Sequence, residues 1–244
     1  MPVRTPLEPG RRAAPLGVLG AVTVAFAGPV LGVTFSWFVG RHLPAADPLS
    51  RLVVGTTAYG VGLVVVGVAF LALAGRLDDL GPPRLDARRA RLVVVGVAFL
   101  VGTWLVAVVG LDRLGVPFAG NATTSLAERG RRLSLLVFAV LSPLVIAPTE
   151  EFLFRGTVQA TLYDVTSRPM AIAVASVPFA LIHVPTFHVD TTHPTAVAVS
   201  LLAVFGLSLV FGWLHARTDD LLVPTAVHGG YNAVVYCLLF LGLF

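Results

Sequence analysis

Residues 133–163 read LSLLVFAVLSPLVIAPTEEFLFRGTVQATLY, an apolar run that carries three charges near its middle. A helix needs about 20 apolar residues to cross a hydrocarbon core of roughly 30 Å. Working outward from this run, the chain offers others of similar character at 14–38, 52–75, 92–110, 169–188, 195–214 and 223–243. Backbone groups in lipid must be hydrogen-bonded within their own segment, and the runs lack the alternation of barrel strands. We therefore predict an all-α fold, a polytopic transmembrane bundle of about seven spans, with six to eight as the range.

The composition of the whole chain supports a membrane protein. Hydrophobic residues make up 56% of the 244 and charged residues 12%, whereas soluble domains carry roughly 25% charged residues. All 17 basic residues are Arg, and they lie singly or in short clusters between the apolar runs. Such clusters are a topology signal and not the basic stripe of a nucleic-acid-binding protein. We predict a single integral membrane domain over residues 1–244, in the cell membrane, with the lipid bilayer and no nucleic acid as a partner.

The distribution of Arg predicts an orientation. The N-terminus and the loop 76–91 hold eight Arg, and the segments 41–51 and 111–132 hold six. This bias favours a cytoplasmic N-terminus, ahead of a first run that we interpret as a retained span and not a signal peptide. The charged segment from Ser125 to Arg132 indicates either an interfacial helix or a span count that is off by one. The lone Cys237 lies in the last run, where we expect a buried small side chain.

Three charges interrupt the run 133–163, at Glu150, Glu151 and Arg155. Insertion scales put each such residue at roughly 2.5–3.5 kcal/mol at the bilayer centre, so the set needs pairing or a function. Glu151 and Arg155 are four residues apart and share a helical face, whereas Glu150 points about 140° away from Arg155. Pro148 can begin a restarted helix beside a local break. We predict that Arg155 pairs with Glu151 and leaves Glu150 free. The alternatives are a buried ion pair without catalysis and a loop at 148–155 between two short interfacial helices.

Two later spans carry polar side chains at helical spacing. Phe179 and His183 are four residues apart, and so are His228 and Asn232 in the segment His228-Gly229-Gly230-Tyr231-Asn232. In isolation, such a His can be a satisfied core residue, and the His–Asn pair can be a contact between helices. The paired glycines let another helix approach closely. Because three separate spans carry polar groups of this type, we predict that these groups converge on one buried site.

The residue types at this predicted site suit peptide hydrolysis. Glu150 can take a proton from water, and His183 can orient that water or bind a metal. His228 and Asn232 can donate hydrogen bonds to an oxyanion.

At these residues the chain resembles the CPBP family of intramembrane proteases, which contains the type II CAAX prenyl endopeptidases and bacteriocin-processing or immunity proteins. The Glu-Glu-x-x-x-Arg motif of the family is matched by Glu150, Glu151 and Arg155. Its Phe-x-x-x-His motif is matched by Phe179 and His183, and its His-x-x-x-Asn motif by His228 and Asn232. The resembling region, and so the predicted catalytic core, runs over about 133–239 and includes Phe211-Gly212-Trp213-Leu214.

The resemblance implies an intramembrane, glutamate-dependent endopeptidase with a water-filled cavity. It assigns catalysis to Glu150, His183, His228 and Asn232, and a supporting role to Glu151, Arg155 and Phe179. Members are often described as metalloproteases, yet the chain has no His-Glu-x-x-His pair. No cofactor is certain; a zinc ion is a candidate, and its ligands would be Glu150, His183 and His228. A further cluster of His188, Asp190 and His193 is too loosely spaced for a metal, and we interpret it as a solvated loop.

The substrate expected from a site at membrane depth is a membrane-associated protein or peptide, with a lipidated one as a candidate. Two other functions are open. A non-catalytic immunity or scaffold protein could bind a peptide in the same cavity. A proton-coupled transporter could also use intramembrane Glu, Arg and His, although only one strong polar break, near Pro148, is visible.

Overall fold

The computed structural model describes residues 17–42, 47–84, 86–116, 132–187 and 194–243. In these ranges the regular elements are helical, and seven helices are long and apolar enough to span a membrane, which confirms the predicted all-α bundle. They are α1 (Val18–His42), α2 (Pro48–Leu73), α3 (Ala87–Arg113), α4 (Leu133–Leu162), α5 (Arg168–Leu181), α6 (Pro194–Thr218) and α7 (Leu222–Phe240). Short 3-10 turns follow α2 at Leu77–Asp79 and α5 at Val184–Thr186.

Helix α4 lies at the centre of the bundle and contacts α1, α2, α5, α6 and α7. On one flank, α4 packs with α1, α2 and α5 in an apolar core that includes Leu153, Phe154 and Phe179. On the other flank, α3, α6 and α7 form a second core around Leu100 and Phe211. Helix α4 is therefore the element on which most of the other spans pack.

Glycines bring α1, α2 and α4 into close contact. A Cβ on Gly62 would lie 2.5 Å from the Cα of Gly32, so α1 and α2 touch backbone to backbone at this point. A Cβ on Gly28 would meet the Leu153 side chain at 2.5 Å, and a Cβ on Gly60 would meet Thr149 at 3.1 Å. Small residues at helix interfaces allow this close approach. In lipid, helices associate through such dense packing and not through the hydrophobic effect. The N-terminal helices are thus held directly against the charged turn of α4.

The two ends of the bundle differ in their polar contacts. On one side, the ends of α2, α4 and α6 meet the starts of α3, α5 and α7. Arg76 pairs there with Asp164 at 2.6 Å, and Arg168 pairs with Asp219 at 3.1 Å. Asp220 is buried and accepts hydrogen bonds from backbone N–H groups ahead of α3 and in the first turn of α7. We call this the ion-pair side, and we call the opposite side the cavity side for the feature described below.

One expectation about a single residue is wrong. Cys237 is exposed on α7, although it lies in an apolar run. The outer face of a membrane helix is as apolar as its inner face because it meets lipid, so the sequence of the run does not distinguish the two. The expected interfacial helix from Ser125 to Arg132 lies outside the described residues, apart from Arg132.

Candidate active site

The charged turn of α4 lies between two π-helical stretches, Ser142–Ile146 and Phe152–Gln159. Ala147 N–H bonds the carbonyl of Ser142, five residues back. Pro143 and Pro148 have no N–H to donate, so the hydrogen-bond register shifts around them while the helix continues. The predicted break and restart at Pro148 is therefore wrong in form, because α4 is one unbroken helix with widened turns. Such π-helical insertions are frequent at functional sites.

Glu151 and Arg155 form the predicted ion pair. Arg155 Nε lies 3.2 Å from Glu151 Oε2, and both side chains are fully buried. Arg155 Nη2 also donates to the carbonyl oxygen and the hydroxyl of Ser208 on α6. Unpaired charges at this depth would be costly, and the pair with its hydrogen bonds offsets that cost. Arg155 therefore ties α4 to α6 as well as to Glu151.

Aromatic rings enclose the guanidinium of Arg155. The Phe179 ring centroid lies 4.8 Å from its Cζ, and that of Phe211 lies 5.7 Å away, both within cation–π range. Phe211 in turn stacks on the His228 ring with a centroid distance of 4.6 Å. Phe179 is thus a packing partner of the charged centre, and its supporting role in catalysis stays a prediction. The contact of Phe211 with Arg155 and His228 was not predicted, although the segment Phe211-Gly212-Trp213-Leu214 belongs to the predicted catalytic core.

His228 bridges the two glutamates. Its Nδ1 lies 2.9 Å from Glu151 Oε1, and its Nε2 lies 3.9 Å from Glu150 Oε2. Because a carboxylate only accepts, Nδ1 carries the proton in this bond. The other ring nitrogen, Nε2, faces Glu150 Oε2. Glu151 therefore fixes both the orientation and the tautomer of His228.

Glu150 differs from Glu151 in its surroundings. It has no Arg partner within salt-bridge distance among the described residues, and its Oε2 is a buried acceptor without a hydrogen-bond partner there. Its side chain lines a cavity, as does that of His183. His183 Nδ1 donates to the carbonyl oxygen of Phe179 at 2.7 Å, which leaves Nε2 as the acceptor of the neutral ring. The free glutamate and the second His thus share one cavity.

The cavity has a volume of about 650 Å³, within the range of small-ligand and peptide sites. Four helices or their ends form its wall: α1, α2, α4 and α5 with its following turn. Its exposed residues include Trp37, Arg51 and Thr186, which lie at the end of α1, the start of α2 and the turn after α5. The mouth therefore opens to the cavity side of the bundle, opposite the ion pairs.

Asn232 lies one turn beyond His228 on α7. It is partly buried and is not among the residues that line the cavity. The glycines between the two residues make the close contacts predicted for them. A Cβ on Gly229 would lie 2.5 Å from Pro143 Cα, and a Cβ on Gly230 would lie 3.0 Å from the Val97 side chain. Oxyanion binding by His228 and Asn232 stays a prediction.

The residues that could hold a metal do not form a metal-ligand set. A catalytic zinc takes three protein ligands, and the described ranges contain no group of three His, Cys, Asp or Glu side chains able to hold an ion. Glu150 and His228 approach each other, but His228 directs its other nitrogen to Glu151. The arrangement does not fit zinc with the ligands Glu150, His183 and His228. His188, Asp190 and His193 lie outside the described residues.

The motifs did not predict any part of the cavity wall in α1 and α2. Of the polar side chains there, Tyr59 and Arg51 carry chemistry that a substrate could meet. The sequence gives only a weak indication that Tyr59 belongs to the site. Tyr59 is the sole aromatic hydroxyl in the apolar run 52–75, and nothing in its sequence spacing connects it with Glu150.

Comparison with known proteins agrees with the motifs. A family model described as type II CAAX prenyl endopeptidase Rce1-like matches residues 132–234, a range that contains all three motifs and leaves out α1 to α3. No curated protein and no solved structure matches the chain. The resemblance to the CPBP proteases is confirmed. Residues 132–234 of this multi-pass membrane protein are thus similar to the Rce1-like type II CAAX prenyl endopeptidases, a family of peptidases.

Proposed function

We propose that the protein is a glutamate-dependent endopeptidase of the cell membrane that hydrolyses a peptide bond in a membrane-associated protein or peptide. The observation that carries this proposal is the unequal environment of the two neighbouring glutamates. Glu151 is tied to Arg155 and His228, whereas Glu150 lines the cavity without an Arg partner in the described ranges. A general base has to reach a water molecule, and of the two carboxylates Glu150 is the one that can.

In this mechanism Glu150 takes a proton from a water molecule held in the cavity. His183, whose Nε2 is an acceptor, accepts the other water proton in a hydrogen bond and so orients the attack. The water oxygen bonds to the carbonyl carbon, and the carbonyl π electrons move to its oxygen. When the C–N bond breaks, Glu150 returns its proton to the leaving amine. His228 faces Glu150 from α7, and no step passes through a metal.

The substrate class follows from the position of the cavity. It lies between four membrane helices, and most of its wall is apolar or aromatic. A peptide tethered to the bilayer, by a lipid or a span of its own, reaches the mouth by lateral movement within the membrane. A prenylated tail is one such substrate, and cleavage only of water-soluble peptides, independent of lipid, would contradict this assignment.

The test is a cleavage assay with purified protein in lipid nanodiscs and a library of membrane-tethered peptides, read by mass spectrometry. We expect Glu150→Gln to reduce the rate by about 10²- to 10⁴-fold, as loss of a general base does. The matched control is Asp219→Asn, the same exchange at an exposed carboxylate on the ion-pair side, which should leave the rate unchanged. Equal thermal melts of the three proteins exclude misfolding.

A chelator added to the same assay tests the absence of a metal step. We expect cleavage to persist after EDTA treatment, and loss that zinc restores would contradict the mechanism. If the wild-type protein cleaves nothing while both it and Glu150→Gln bind the same peptide, the non-catalytic binding protein is the correct function.

A further inference from the structure

Tyr59 lies outside the family-matched range and outside the three motifs, yet it faces the same cavity as Glu150 and His183. Its helix, α2, touches α4 beside the charged turn, since a Cβ on Gly60 would lie 3.1 Å from Thr149. Tyr59 is also close enough to Glu150 for an electrostatic interaction between the side chains. The phenol is therefore held at the depth of the proposed general base.

Helix α1 holds the Tyr59 ring in place. A Cβ on Gly32 would lie 2.8 Å from Tyr59 Cδ2 and 2.7 Å from its backbone oxygen, so ring and backbone both rest against α1. No described residue forms a hydrogen bond with the Tyr59 hydroxyl. A buried Tyr hydroxyl usually finds a partner. This one is positioned at a cavity in which a substrate can supply that partner.

Among the described donors of α2 that line the cavity, Tyr59 is the one nearest the depth of Glu150. His183 and His228 each use Nδ1 in a hydrogen bond, with the Phe179 carbonyl and with the Glu151 carboxylate. The other hydrogen-bond donors of α2 that line the cavity are Thr56 and Arg51. With a helical rise of 1.5 Å per residue, they lie about 4.5 Å and 12 Å nearer the mouth than Tyr59. Ser36 and Thr186 line the cavity near helix ends on the mouth side.

We propose that Tyr59 is a catalytic residue whose hydroxyl donates a hydrogen bond to the oxyanion of the tetrahedral intermediate. The inference rests on the proposed function, because it needs the attack of water activated by Glu150. As the water oxygen bonds to the carbonyl carbon, the π electron pair moves to the carbonyl oxygen, and the Tyr59 O–H stabilises the negative charge formed there. The phenol keeps its proton, and the proton taken by Glu150 leaves with the amine. Helices α1 and α2 thus complete a site that the matched domain alone does not contain.

The test compares Tyr59→Phe with the wild-type protein in the peptide assay. We expect kcat to fall by about 10²- to 10³-fold, the usual effect of removing one oxyanion donor, with KM nearly unchanged. The exchange removes one oxygen that bonds no described residue, so the melting temperature should not fall. Tyr231→Phe is the matched control, since Tyr231 is buried in the core of α3, α6 and α7, away from the cavity lining, and should keep full kcat.

The outcomes separate this inference from the proposed function. If Glu150→Gln is inactive and Tyr59→Phe retains full kcat, the role of Tyr59 is overturned and the glutamate mechanism stands. A rise in KM at constant kcat would also overturn it, because Tyr59 would then bind substrate without stabilising the intermediate. If Glu150→Gln remains active, or if the wild-type protein cleaves no peptide, both proposals fall.

Discussion

Arg155 is the residue on which the charged centre depends for its stability. Its guanidinium is fully buried, pairs with Glu151, donates to Ser208 and lies against the rings of Phe179 and Phe211. Removal of Arg155 would leave the buried Glu151 carboxylate with His228 as its one remaining partner among the described residues. The arrangement is thus a structural support for the neighbouring Glu150, whose own side chain stays available to the cavity.

We predict that Arg155→Leu lowers the free energy of unfolding by about 3–5 kcal/mol, the usual effect of breaking a buried ion pair from one side. The control is Arg168→Leu, which removes an exposed ion pair with Asp219 and should cost about 1 kcal/mol or less. Unfolding by SDS in mixed micelles measures both. Equal losses for the two variants would show that the buried pair has no special importance.

At the scale of elements, the contact between α1 and α2 determines the shape of the cavity wall. The two helices meet backbone to backbone where Gly32 faces Gly62, and the same region holds the Tyr59 ring. In a membrane, dense packing of this kind stands in for the hydrophobic effect that drives helices together in water. A small increase in side-chain size at the contact should therefore separate the helices.

We predict that Gly62→Ala lowers the free energy of unfolding by about 1–3 kcal/mol, because its Cβ would overlap the Gly32 backbone. Gly102→Ala is the matched control: it lies within α3 with no atom within 4 Å of the new Cβ. Since Ala favours helices over Gly by roughly 0.5–1 kcal/mol, the control should be neutral or stabilising. A destabilised Gly102→Ala with an unaffected Gly62→Ala would refute the proposed contact.

At the scale of the molecule, the orientation in the membrane determines which compartment the cavity faces. Its mouth lies on the side opposite the loop 76–91. That loop and the N-terminus contain eight Arg, and the structure adds Arg168 and Arg217 to the same side. By the positive-inside rule, we predict that the ion-pair side is cytoplasmic and that the cavity opens away from the cytoplasm.

We predict that, in a Cys237→Ser background, an impermeant thiol reagent applied to intact cells labels Thr186→Cys and does not label Arg217→Cys. Thr186 is exposed at the cavity mouth, and Arg217 is exposed near the end of α6 on the ion-pair side. Bulky labels at Thr186→Cys should also block cleavage. Labelling of both positions from one side would show that the pattern of spans is wrong, and the reverse labelling would show an inverted orientation.

The sequence by itself determined the class of fold, the pairing of two charges and the resemblance to a family. Apolar length sets the number of spans because a bilayer has a fixed thickness. The spacing of four residues between Glu151 and Arg155 predicted their contact because both lie on one helix, where geometry is local. The three motifs predicted the resemblance that the family model confirms.

The tertiary structure decided the contacts between residues that are far apart in the sequence. It brought His228 next to both glutamates and placed Phe211 against Arg155 and His228. Where a break at Pro148 was expected, it has a continuous helix with π-helical stretches. It also brought Tyr59 to the cavity of Glu150 from a helix without a motif. In lipid, inward and outward helix faces are equally apolar, so composition does not tell which neighbour a side chain meets. Only the packing of backbone against backbone at positions such as Gly32 and Gly62 decides that.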